Sequence, residues 1–117
     1  MKTITLIATL SIFFLLTSCA QMNSHPMDMT QAIQSAKKSS DHEALANHYD
    51  AVADEMRSKA QEHQNKLESY RKNTYRYGKQ AQMLQDHCRN LIRLYEQAGD
   101  ENKAIAETHR KMAEELK

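Results

Sequence analysis

Between residues 42 and 116, apolar side chains recur at steps of three and four, and this period constrains the fold more than any other feature of the chain. His42, Leu45, Tyr49, Val52, Met56, Ala60, His63, Leu67 and Tyr70 form one stripe. Cys88, Leu91, Ile92, Tyr95, Ala98, Ile105, Ala106, His109, Met112, Ala113 and Leu116 form a second. Such steps place each set along one side of an α-helix, and an apolar side must be covered by another helix. Between the stripes, Asn73-Thr74-Tyr75-Arg76-Tyr77-Gly78 strings poor helix formers before a glycine and supplies the turn. Only two glycines and one proline occur in 117 residues, with no tryptophan, a composition of long helices. The expected fold is all-α, an antiparallel helical hairpin over residues 40–117 with its turn near Gly78.

The first long helix is expected to open at Ser40-Asp41-His42-Glu43, a capping-box pattern in which Ser40 and Glu43 satisfy backbone donors of the first turn. Shifting the first stripe by 46 residues superposes Leu45 on Leu91, Tyr49 on Tyr95, Glu55 on Glu101, Ala60 on Ala106 and His63 on His109. The body therefore has the pattern of an internal duplication. Folding two such helices about the turn brings together positions whose numbers sum to about 158, so that Tyr49 meets His109, His63 meets Tyr95, Tyr70 approaches Cys88 and Met56 approaches Asn102. Gly99 is expected to loosen or kink the second helix.

Each helix, at up to ~36 residues, would be ~54 Å long, and two helices bury only one narrow face against each other. A wider stripe of Ala46, Ala53, Ala60, Ile92, Ala106 and Ala113 would be covered if two hairpins packed into a four-helix bundle, so a homo-oligomer is expected, with the hairpin monomer as the alternative. A short helix from Met29 through Lys38 could instead dock as a third.

Ahead of the helical body, Lys2 and an apolar run from Ile4 to Leu16 precede Leu16-Thr17-Ser18-Cys19. The run is too short to span a membrane but suits an export signal, and small residues before a cysteine are what a lipoprotein signal peptidase accepts. Residues 1–18 are expected to be removed as a signal peptide and Cys19 to carry lipid, such as palmitate, that holds the chain to a membrane. Residues 19–39 then form the lipidated cysteine and tether, interrupted by Pro26. Ala20 rather than aspartate after the cysteine favours the outer membrane of a Gram-negative cell, with the body facing the periplasm. Loss of Lys2 leaves 15 basic against 15 acidic residues, so the exported chain is formally neutral and has no nucleic-acid footprint. Lipid on Cys19 leaves Cys88 without an intramolecular disulfide partner.

Two groupings carry soft-metal ligand chemistry. His42, Met56, His63, Cys88, His109 and Met112 lie on the inner stripes, and imidazole, thiolate and thioether suit copper or zinc. The metal candidates are His42, His63, Cys88, His109 and Met112, although His42 and His63 are six helical turns apart and need ligands from the facing helix or a second chain. The commoner reading of the rings is a histidine and tyrosine pair sharing a hydrogen bond inside the seam. His48 and His87 sit off the stripe and are expected to be solvated. In the tether, Met22, His25, Met27, Asp28 and Met29 fall within eight residues. At the turn, Arg71, Lys72, Arg76 and Lys79 interleave with Tyr70, Tyr75 and Tyr77, which fits either a solvated helix end or contact with anionic envelope polymers. No paired carboxylates, nucleophile with base, or phosphate loop can be assembled, and an enzyme is not expected.

The lipobox and the repeated pattern Asp41-His42-x-x-Leu45-Ala46-x-x-Tyr49 with His63, then His87-Cys88-x-x-Leu91-x-x-x-Tyr95 with Glu101-Asn102 and His109-Arg110-x-Met112, resemble those of small, uncharacterised helical lipoproteins of environmental bacteria. The resemblance covers residues 41–112 and implies an exported helical protein without assigning an activity. Ile92 and Gly99 depart from that pattern where alanine is expected. A looser similarity is to the murein lipoprotein, which ends in a lysine that is joined to peptidoglycan. Here Lys117 follows Glu114-Glu115-Leu116 instead of tyrosine-arginine, and a hairpin returns it toward the anchored end. The functions expected are a structural or interaction lipoprotein of the cell envelope, with a protein or polymer partner, or a periplasm-facing binder of copper or zinc.

Overall fold

A computed structural model of the chain describes residues 27–117, and all of the elements among them are helical. The signal segment, Cys19 and the tether through Pro26 lie outside the described residues. The first element, α1 (Met29–Ser35), starts where the Asp28 carboxylate accepts the Gln31 N–H at 3.2 Å. It ends three residues short of the expected Lys38. Met27, Ala32 and Ser35 line a shallow groove with Asp41, Ala44 and Leu45, so this short helix lies over the first turns of the next one, where Leu45 is 1% exposed.

Helix α2 (Ser39–Lys72) begins one residue before the expected cap. The cap itself also differs. Asp41 Oδ2 accepts the backbone N–H groups of Lys37 and Lys38, each at 3.0 Å, so this carboxylate replaces Ser40 and Glu43 at the helix start. A side chain at the third helical residue reaches back over the first turn, and two amides held on one carboxylate oxygen suffice to stop the chain there. The same two amides, which favour the charged form, lower the pKa of Asp41.

Asn73 ends α2. Its backbone N–H and its side-chain amide both donate to the Ser69 carbonyl, at 3.0 and 2.9 Å, and the Thr74 hydroxyl donates to Arg71 O at 2.8 Å. These donors satisfy carbonyls that the helix leaves without a partner. One turn of helix, α3 (Thr74–Tyr77), and a 3-10 turn at Gly78–Gln80 then lead into α4 (Ala81–Glu115). Gly78 has φ +53° and ψ −130°, the one positive φ among the described residues, in a region that a side chain would oppose.

Helices α2 and α4 form the antiparallel hairpin in the expected register. The Tyr49 ring stacks on His109 at 5.8 Å between centroids, and His63 stacks on Tyr95 at 5.6 Å. Between them runs a seam of small residues. Ala46, Ala53 and Ala60 are buried on α2, and Gly99, Ala106 and Ala113 on α4, each set at intervals of seven. The alanines of the wider stripe are therefore not an outer face awaiting a second hairpin: five of the six expected there close the hairpin itself, and Ile92 is half-buried. Alanine buries little area but lets backbones approach closely, and that approach decides which side of each helix turns inward. Gly99 does not interrupt α4, which continues from Ala81 to Glu115; it lies against Ala53, Met56 and Arg57.

The seam divides the hairpin into two unlike faces. At 100° per residue, Asp50 and Arg57 project to one side of Ala53, while Tyr49, Val52 and Met56 project to the other. On α4, Lys103 and Arg110 lie to one side of Ala106, with Ile105, His109 and Met112 opposite. Asp50 pairs with Lys103 Nζ at 2.8 Å and also with Arg110, and Arg57 reaches Asp100 at 3.8 Å. One face is thus laced by ion pairs across the helices, and the other carries rings and larger apolar side chains.

Candidate functional site

Where α2 starts and α4 nears its end, four rings gather. His42 Nδ1 and His109 Nδ1 are 3.0 Å apart, with the rings stacked at 5.3 Å between centroids and inclined by 23°. Tyr49 stacks on His109, inclined by 10°, and His48 meets Tyr49 edge-on at 5.7 Å. His48 is consequently half-buried against a ring, not a free surface group as its position off the stripe implies, whereas His87 is exposed. At 3.0 Å the two Nδ1 atoms form a hydrogen bond in which one imidazole donates and the other accepts, a geometry that tolerates one proton between them and opposes two. Burial lowers the pKa of His109, and the neighbouring His42 charge lowers it further.

Of the five metal candidates, the hairpin brings together only His42 and His109. His63 lies three heptads further along α2, stacked on Tyr95, and its Nδ1 is buried with no hydrogen-bond partner. Cys88 is a free buried thiol on α4, and Met112 is 40% exposed one turn beyond His109. Among the described residues, no group of three or more His, Cys, Asp or Glu side chains is placed to hold a metal ion. Within one hairpin, His42 and His63 stand about 30 Å apart along α2 and do not share a centre. Two imidazole nitrogens 3.0 Å apart can both reach one copper or zinc ion at about 2.0–2.1 Å, leaving its other positions to small ligands.

At the opposite end, the turn carries the basic and aromatic cluster. Tyr70 packs edge-to-face on Tyr77 at 5.0 Å, which gives Tyr70 a partner inside the turn, and Tyr75 is 80% exposed. Arg71, Lys72, Arg76 and Lys79 are exposed around them, with Lys72 held to Glu68 at 2.8 Å. Cys19, Met22 and His25 lie outside the described residues; Met27, Asp28 and Met29 stand at the start of α1. The imidazole contact was beyond sequence reasoning because 42 and 109 miss the pairing sum by seven, and only side-chain directions close that gap. Among the described residues, no helix is long and apolar enough to cross a membrane. Comparison with known proteins gives no match to a family model, to a curated protein or to a solved structure.

Proposed function

We propose that the chain is a lipid-anchored protein of the bacterial cell envelope, held through Cys19 to the outer membrane, with a structural or protein-interaction role on the periplasmic side. The observation that carries this reading is the polarity of the hairpin. The tether joins at the end where α2 begins and α4 finishes, as the Lys117 to Glu43 ion pair at 3.4 Å marks. The turn stands about 50 Å away, the length of a 34-residue helix. A rod fixed at one end presents its far end, here an exposed tyrosine among cations that suits an envelope protein or an anionic polymer. The basic start, the apolar run and Leu16-Thr17-Ser18-Cys19 support the anchor. Expression in a Gram-negative host with radiolabelled palmitate tests it: the chain takes up label and sediments with outer membranes, and Cys19→Ala is released as an unlabelled periplasmic protein. An unlabelled parent chain, or a Cys19→Ala chain that stays in the membrane fraction, would overturn the anchor.

A second reading, binding of copper or zinc, is favoured by the 3.0 Å separation of His42 and His109 alone. It predicts a one-to-one complex in native mass spectrometry that both His42→Ala and His109→Ala abolish and His63→Ala leaves intact.

A further inference from the structure

The ion-paired face is complete within one chain, but the opposite face is not. On α4, Leu94 is 51% exposed, Ile105 37% and Met112 40%, and all three point to the same side of the seam as Val52 and Met56 of α2. On this side of α4 one exposed carboxylate, Glu101, stands between Leu94 and Ile105. On α2 the charge lies along the rim, where Lys59 pairs with Glu55 at 3.7 Å and Lys66 with Glu62 at 2.5 Å. A rim that neutralises itself offers no attraction to anionic lipid head groups or to an acidic chain. It opposes no second copy either.

We infer that this face docks on the same face of a second copy of the chain, closing a four-helix bundle in which both hairpins point the same way. The area is sufficient. A face ~50 Å long and roughly two helices, or ~18 Å, wide covers ~900 Å², against ~800 Å² per partner in an interface of standard size. A two-fold operation sets the same patch of both chains against each other, which makes the interface isologous. A two-fold axis parallel to the helices sets each α2 beside the partner's α4, antiparallel, and leaves both turns at one end. An axis across the helices would set them at opposite ends. The common direction rests on the anchored reading, since two chains lipidated in one membrane must both stand away from it; the docking itself does not.

Sedimentation equilibrium of the full chain in a density-matched detergent tests the docking. The expected mass is twice that of a single processed chain. The double variant Leu94→Glu, Ile105→Glu falls to a monomer with unchanged far-ultraviolet circular dichroism, because both positions lie outside the buried seam. A monomeric parent chain, or a double variant that stays dimeric, overturns the inference, as does a monomer that buries Ile105 only on adding lipid vesicles, which would make lipid the occupant. Direction is read from nitroxide labels at Lys79→Cys in a Cys88→Ala background that keeps Cys19 and its lipid. Tips about 20–30 Å apart support the common direction, and a dimer with tips beyond about 50 Å overturns the direction while leaving the docking intact.

Discussion

Burial of His109, beside the charge of His42, makes folding sensitive to protons in a defined direction. His109 takes up a proton less readily in the folded chain than at its ordinary value of 6.5. Its contribution is therefore fully present above about pH 6.5 and is lost as the pH falls below it, because the unfolded chain binds the proton first. Thermal unfolding should show a lower Tm at pH 5 than at pH 7.5, with His109→Gln flattening the dependence in that interval. Asp41 acts in a separate range, since its lowered pKa withdraws stability only below about 3.8. His63 poses the reverse case, a buried ring nitrogen without a partner. An unsatisfied buried polar atom costs about 1–3 kcal/mol, and phenylalanine keeps the stack on Tyr95, so His63→Phe should raise stability by about 1 kcal/mol in urea titrations. A fall would show that Nδ1 has a partner.

At the scale of the helices, the two glycines act oppositely. Gly78 has open space where a Cβ would stand, but its φ of +53° with ψ −130° belongs to glycine, so Gly78→Ala should cost about 1–2 kcal/mol through backbone strain alone. Gly99 is helical, and a Cβ there would meet the Ala53 carbonyl oxygen and Arg57 Cγ at 3.4 Å, ordinary contact. Gly99→Ala should therefore stabilise by up to about 1 kcal/mol, the helix propensity it recovers. Opposite shifts in Tm from one pair of substitutions would check both. The sequence discloses the turn and the pairing of Tyr49 with His109 and His63 with Tyr95, since an unbroken period and one glycine leave a single way to fold back. It does not disclose the seam. Alanine marks a helix face weakly, and steps of three and four describe either edge of a broad stripe, so Ala53 and Ala106 read as readily outward as inward. It also misplaces the cap, because Ser40 with Glu43 and Asp41 alone are both sound starts, and only the path of Lys37 and Lys38 chooses between them. The candidate site is legible as residues and not as a centre: the period collects five ligands along the rod but fixes none of the distances between them, and it hides that His42 turns toward His109.

For the whole molecule, the unequal faces couple folding to association. If the apolar face docks on a second copy, Tm should rise with protein concentration across a hundredfold range, because mass action favours the associated folded state. The double variant Leu94→Glu, Ile105→Glu should unfold at a temperature independent of concentration. The small-residue seam bears on this behaviour in another way. Its members repeat every seven residues on both helices, so sliding one helix along the other by about 10.5 Å returns small residue to small residue. The contact that brings the backbones closest is thus a smooth rail, nearly blind to position. Detents along it are supplied by the stacked rings at Tyr49 and His63, by Asp50 gripping two cations, and by the short turn, whose length permits no travel. Precision of alignment and closeness of approach are assigned to different residues, and lengthening the turn while replacing Tyr49, His63 and Asp50 should leave a hairpin that remains helical but wanders among registers.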